Sequence, residues 1–184
     1  MLWILLIIIV ALLLYIVVLY NKLVGLRLRV KNAWAQIEVQ LKRRHDLIPN
    51  LVNAVKGYMK YEQDTLTKVI EARAKAVSAT AVPDIAKAEG ELSGLLSKLF
   101  ALFENYPELK ANQNVMALQE ELTTTENQIS FSRQHYNDSV MVYNMALQMF
   151  PSNIIASTFN FKEEDKFFEA PEAEKEVPKV DLSL

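Results

Sequence analysis

The sequence predicts an all-α protein in which an N-terminal transmembrane helix continues into an antiparallel, up-and-down four-helix bundle with long helices. Three observations lead there. Residues 1–20 hold no charged and no amide side chain. Much of the remaining chain repeats apolar residues at steps of three and four, the spacing that puts them on one helical face. Four Gly and six Pro in 184 residues leave too little turn material for a dense all-β architecture. The average composition conceals this partition: the chain is 51% hydrophobic, but without its first twenty residues it falls to about 45%, an ordinary value for a soluble domain. The expected organisation is a transmembrane helix over residues 1–21, a helical bundle over 22–161 and an acidic, mobile tail over 162–184.

The segment Leu2 to Tyr20 reads LWILLIIIVALLLYIVVLY, which as a helix extends roughly 28 Å, close to the hydrocarbon thickness of a bilayer. A cleaved signal peptide would carry a basic start, a shorter apolar centre and a small-x-small exit. This segment has none of these, so it reads as a retained anchor. Trp3 at one end and Tyr15 with Tyr20 toward the other suit interfacial aromatic anchoring, with Tyr15 deep enough to face a neighbouring helix instead. No Lys or Arg precedes the span, whereas Lys22, Arg27, Arg29 and Lys31 follow it closely. The positive-inside bias therefore puts the N-terminus outside and the C-terminal part in the cytoplasm, a single-pass protein of the cell (inner) membrane.

Leu23, Leu26, Val30, Ala33 with Trp34, Ile37 and Leu41 form the first stripe. No Gly or Pro cluster separates it from the span, so one rigid helix is expected to leave the bilayer and enter the domain. At Pro49 two outcomes are open: Asp46 caps a new helix with Pro49 in its first turn, or one long helix kinks. A second stretch carries Leu51, Val52, Val55, Tyr58, Met59, Leu66, Val69 and Ile70. Val82-Pro83-Asp84 breaks it. A third, with Ile85, Leu92, Leu95, Leu96, Leu99 and Phe103, ends near Pro107. A fourth, long helix carries Val115, Leu118, Leu122, Ile129, Tyr136, Val140, Tyr143, Leu147 and Phe150, with a stutter near Val140. Phe159, Phe161, Phe167 and Phe168 are candidates to pin the start of the tail onto the bundle.

Charge is partitioned along the chain. Residues 22–75 have twelve cations and five anions, residues 76–161 four and nine, and the tail four and eight. A basic first half and an acidic second half attract each other within one bundle, between neighbouring copies, or toward anionic lipid.

Catalytic chemistry is poorly provided for. Zero Cys excludes disulfides, thiolate nucleophiles and Cys-based metal sites. Glu38, His45, Asp46 and Glu62 raise the question of a bundle metal site, but the Glu-x-x-His and H-E-x-x-H spacings are absent. No Ser lies in a Gly-x-Ser-x-Gly turn. No catalytic residue, metal or other cofactor is therefore expected. Nor is nucleic acid binding, since net charge is −2 and no basic-aromatic platform occurs. The polar residues around Pro49 have two readings. Gln36, Gln40, Arg43, Arg44, Asp46, Asn50 and Asn53 form a partner or subunit surface, or they are internal: Arg43 or Arg44 paired with Asp46 or with an acid of another helix, and Asn50 serving backbone groups freed by Pro49. Tyr136-Asn137 and Tyr143-Asn144 repeat at seven positions and so share one face, as packed aromatics with flanking amides or as a register-setting seam.

Two blocks of residues carry a family resemblance. The first is Tyr20-Asn21-Lys22-Leu23-Val24-Gly25-Leu26-Arg27, Ala33-Trp34-Ala35-Gln36-Ile37, Gln40 through Val52, Val55-Lys56-Gly57-Tyr58 and Glu71-Ala72-Arg73. The second is Tyr136 through Val140, Tyr143-Asn144, Phe150 through Ala156 and Phe159-Asn160-Phe161-Lys162. Together they resemble the LemA family of bacterial membrane proteins, departing from it in His45, where another aromatic is common, and in Asn160, where Gly is usual. The resemblance implies a short extracytoplasmic N-terminus, one membrane helix and a cytoplasmic four-helix bundle. It implies no reaction.

The function expected from these readings is a membrane-anchored, non-enzymatic helical scaffold that self-associates as a homo-oligomer and organises membrane lipid or partner membrane proteins at the cytoplasmic face. The alternative is a sensor or adaptor that recruits a membrane peptidase or another membrane partner.

Overall fold

The computed structural model describes residues 1–164, 167 and 168. Among these, the structure is all-α. Helix α1 is Leu2–Val55, α2 Gln63–Ser78 and α3 Val82–Leu102, followed by a 3-10 turn at Phe103–Asn105. Helices α4 (Pro107–Ala111), α5 (Gln113–Gln148) and α6 (Ser152–Thr158) complete the order. The expected mobile tail lies, beyond its first residues, outside the described part of the chain.

Local signals account for several boundaries. Pro83 occupies the first turn of α3 and Pro107 opens α4, positions where the missing N–H has no intrahelical partner to lose. Asn112 caps α5 by accepting from the backbone N–H of Asn114 at 3.0 Å and Val115 at 3.3 Å. Beyond the last turn of α5, the Ser152 hydroxyl reaches back to the carbonyl of Ala146 in that turn and to that of Met149 just past it. Asn160, after α6, has φ 55°, in the left-handed region that Gly and Asn tolerate best.

At Pro49 the structure selects the single helix. Helix α1 passes through Pro49 and ends at Val55, so Leu51, Val52 and Val55 belong to it and Tyr58 and Met59 lie in the connection to α2. The physical reason is in the site described below.

The chain divides into two compact units, and α1 and α5 each contribute residues to both. The first comprises Met1–Glu38 and Phe131–Phe167. It buries Leu23, Leu26, Val30, Ala33 and Ile37 of α1, with Tyr136, Val140, Tyr143 and Leu147 of α5 and Ile155 and Ala156 of α6. Each large aliphatic in such a stripe contributes about 1.5–3 kcal/mol when fully buried. The stretch preceding Leu23 is different: it is long and apolar enough to cross a membrane, and none of its most apolar window is buried in the fold. An apolar segment exposed on all sides needs a nonaqueous neighbour. The molecule is thus membrane-associated through one apolar helix.

The second unit comprises Val39–Ser130 with Phe168. Its core joins Ile48, Leu51 and Val55 of α1 to Leu66 and Val69 of α2, Leu92, Leu96 and Leu99 of α3 and Val115 and Leu122 of α5. Leu109 of the short α4 closes the same cluster. Gly94, half of a small-xxx-small pair with Gly90, has no atom within 4 Å of where a Cβ would stand, so it marks no close helix approach.

Candidate functional site

The most concentrated polar chemistry lies in the second unit, where Arg44 is 1% exposed. An apolar stripe carrying Leu41 and Ile48 flanks it on α1, so its guanidinium enters the core with its charge intact. Such a charge is tolerable only when paired and hydrogen-bonded. Glu89 of α3, itself buried, meets Nη2, and Glu126 of α5 meets Nη1. Ser93, one turn beyond Glu89, links the two arms: its hydroxyl accepts from Arg44 Nη1 at 2.8 Å and donates to Glu126 Oε1 at 3.0 Å. Three helices are thereby fastened at one guanidinium. Arg44 Nε has no hydrogen-bond partner among the described residues.

His45 extends the cluster, its Nε2 lying 2.7 Å from Glu89 Oε1. Burial pushes the Glu89 carboxyl upward, but the His45 hydrogen bond and the Arg44 charge more than offset it, and the group lies below the usual carboxylate range. An ionised Glu89 can only accept, so His45 Nε2 carries the proton and donates.

The backbone of His45 explains why Pro49 does not end α1. Pro49 has no N–H to give the carbonyl four residues earlier, which is that of His45. Arg73 of α2 supplies the missing donor, its Nε lying 2.6 Å from the His45 carbonyl oxygen. The helix persists because a neighbouring helix completes its ladder.

The other residues singled out around Pro49 separate. Arg43 pairs with Glu121 of α5 near the surface. Asp46 pairs with Lys42 on its own helix at 2.6 Å, and that bond, against a smaller desolvation effect, holds its carboxyl below the usual range. Gln36 and Asn50 are exposed. Gln40 is half-buried, and its Oε1 has no partner among the described residues.

The first unit holds the remaining residues. Lys22, Arg27, Arg29 and Lys31 are exposed, and the Arg27 guanidinium lies 5.5 Å from the centre of the Phe161 ring. Trp34 donates through Nε1 to Glu38 at 2.8 Å and meets Tyr136 edge-on at 5.3 Å between ring centroids. Burial first, then the Glu164 charge, pushes the Tyr136 phenol up to about 12. Tyr143 donates its hydroxyl to the Lys162 carbonyl at 3.0 Å. Burial raises its phenol too, with Arg27 opposing and Glu164 reinforcing. Asn144 clamps the backbone of Glu164, donating to its carbonyl and accepting from its N–H, both at 2.9 Å. Asn137 is half-buried. At the other end of this unit the Tyr20 ring packs edge-on against Phe159 at 4.9 Å and Phe161 at 5.6 Å, while Phe167 is exposed.

Glu89, Ser93, Glu126 and Arg73 are the members of the cluster that reading by residue type did not single out as site residues. A signal exists for Glu89: it falls one turn before Leu92 on the apolar face of α3, where a charge needs a partner.

Among the described residues no group of three or more metal-ligating side chains comes together. The buried charges have protein partners, and the arrangement fastens helices.

Comparison with known proteins finds bacterial relatives. Protein LemA of Metamycoplasma hominis is 25% identical over 140 residues, covering 74% of this chain and 63% of its own length. Magnetosome protein MamQ of Magnetospirillum gryphiswaldense and Magnetosome protein MamQ 2 of Paramagnetospirillum magneticum are each 23% identical over 178 residues, covering 83% of this chain and 65% of theirs. The chain therefore spans a little under two-thirds of the length of these relatives. The sequence model of the LemA family matches residues 33–182, most of the chain and including the Arg44 cluster, and the protein belongs to the LemA family.

Proposed function

We propose that this protein is a membrane-anchored, non-enzymatic helical scaffold that self-associates and organises membrane or partner proteins at the cytoplasmic face of the cell membrane. The observation that carries this reading is the contrast between the two ends of α1. Its first part is exposed and wholly apolar, whereas Arg44, farther along, is spent on internal pairs that hold α1, α3 and α5 together. We read α1, α2, α3 and α5, its four longest helices, as the elements of a four-helix bundle.

The cytoplasmic orientation rests on Lys22, Arg27, Arg29 and Lys31, all exposed just beyond the span. Self-association is supported by large apolar side chains left in solvent on the helix surfaces: Leu28, Val39 and Phe131 are each more than half exposed. Relatives named as magnetosome proteins are consistent with a membrane setting.

The test is the molar mass of the full chain extracted in detergent, measured by light scattering with the detergent contribution subtracted. An assembly of defined stoichiometry that weakens on changing Val39 and Phe131 to Ser is expected. A monomer across the whole accessible concentration range contradicts self-association. A defined complex with a different membrane protein in place of self-assembly would favour an adaptor. Orientation is checked with a membrane-impermeant maleimide, for which the natural absence of cysteine is convenient. A single Cys at Gln36 is expected to react only after the cytoplasmic side is opened.

A further inference from the structure

We propose that the turn between α5 and α6, with α6 itself, is a second membrane contact: Phe150, Ile154 and Phe159 insert at the bilayer interface beside the end of the span. The inference rests on the first part of α1 being membrane-embedded and adds a lipid-binding surface from the opposite end of the sequence.

Depth follows from the pairing of α1 with α5 inside the first unit. Trp34 meets Tyr136, and nearer the span Arg27 packs on Phe161, whose neighbour Lys162 accepts from the Tyr143 hydroxyl, so the two helices run antiparallel. Fourteen residues back from Trp34 along α1 is Tyr20, the last residue of the apolar segment, and fourteen residues on from Tyr136 is Phe150. At a rise of about 1.5 Å per residue both steps cover about 21 Å, which brings Phe150 level with the end of the span. The chain confirms this level independently where it returns past α6: Tyr20 touches Phe159 and Phe161 directly.

The exposure of this end fits lipid. Phe150 is 79% exposed, Ile154 54% and Phe159 51%, although Ile155 and Ala156 on the other side of α6 are buried. The exposed side of α6 carries Ile154 among the polar Asn153, Ser157 and Thr158, so the exposed apolar side chains at this end are Phe150, Ile154 and Phe159, spread from the α5–α6 turn to the residue after α6. Three large apolar side chains on a turn and short helix level with a bilayer surface suit partial insertion, about 5–10 Å into the headgroup and acyl boundary. Lys22 and Arg27 stand exposed on α1 close by, suited to phospholipid phosphates. The acidic Glu163 of the same end is engaged by Gln148 at 2.9 Å. The occupant is the phospholipid bilayer, because the patch is continuous with the span's own end through Tyr20.

The test uses the full chain in phosphatidylcholine and phosphatidylglycerol vesicles, with single-cysteine variants Phe150→Cys, Ile154→Cys and Met149→Cys carrying an environment-sensitive fluorophore. Gln134→Cys, exposed and sixteen residues up α5 from Phe150, is the aqueous reference, and Val10→Cys reports the span. Nitroxide-labelled lipid is expected to quench the labels at 150 and 154 at least about twofold more than the label at 134, with iodide showing the reverse order. Helical content by circular dichroism identifies any misfolded variant, and Met149→Cys then replaces it. Iodide quenching at 150 and 154 equal to that at 134, with position 10 still lipid-quenched, overturns the second contact and leaves the span intact. Shielding of 150 and 154 from both quenchers means protein covers them and also overturns it. Iodide access at position 10 refutes the span, and the second contact with it.

Discussion

If Arg73 replaces the donor that Pro49 lacks, removing the proline should make the arginine dispensable. The Arg73→Met variant keeps most of the apolar stem but takes the donor from the His45 carbonyl, now held at 2.6 Å. A hydrogen bond involving a charged group contributes about 1.5–3 kcal/mol, and an acceptor left without a partner costs a similar amount when water cannot reach it. Arg73 is half-buried, which lets some water in, so a loss of about 2 kcal/mol is expected. For a chain of this size that corresponds to a fall of about 4–8 °C in Tm. In a Pro49→Ala background residue 49 regains its N–H and closes the ladder within α1. There Arg73→Met should cost less than about 0.5 kcal/mol, the level of a substitution that removes no needed partner. Thermal and denaturant melts of the four proteins in one detergent, followed at 222 nm, complete the cycle. Equal costs in both backgrounds would refute the coupling and assign Arg73 to packing or charge alone.

Arg44→Met is expected to destabilise by about 3–5 kcal/mol, because Glu89 then keeps a buried charge without its guanidinium, and Glu89→Gln in the same chain should recover part of that loss in denaturant titration. Glu89 in the folded protein holds its proton less tightly than when unfolded, so its contribution is full above the ordinary carboxylate range and declines as pH falls through the depressed folded value. The Glu89→Gln protein should therefore lose stability less steeply on acidification than the parent, and parallel acid titrations would contradict the assignment. Trp34 and Tyr136 should show a coupling of about 0.5–1.5 kcal/mol in a double-mutant cycle with Phe-sized aliphatic replacements, the range for edge-on ring pairs. Asn160→Ala should cost about 1–2 kcal/mol because φ is 55° there, while Asn160→Gly should be neutral or stabilising by thermal melting.

Much of the helical organisation was legible because periodicity reports which face a helix buries. Leu23, Leu26, Val30, Ala33 and Ile37 are read from spacing alone and are buried. The break at Pro83 was equally plain, since a proline at a helix start obeys a local rule. Pro49 obeyed a different one. Its consequence depended on a guanidinium twenty-four residues later in another helix, and no local pattern contains that information. Glu89 was obscured for a similar reason: a carboxylate on an apolar stripe signals an unsatisfied need, but its partners Arg44 and His45 lie more than forty positions away.

What the amino-acid order determined by itself is therefore the helical class, the apolar segment and the faces each stripe turns inward, because hydrophobic burial and backbone sterics act over a few residues at a time. The tertiary structure alone decided that α1 runs on through Pro49, that Arg44 joins three helices, and that Tyr20 meets Phe159 and Phe161. Each of these is a bond or contact between groups distant in sequence. Its existence depends on where whole helices pack and on the high cost of leaving a buried charge or carbonyl without a partner.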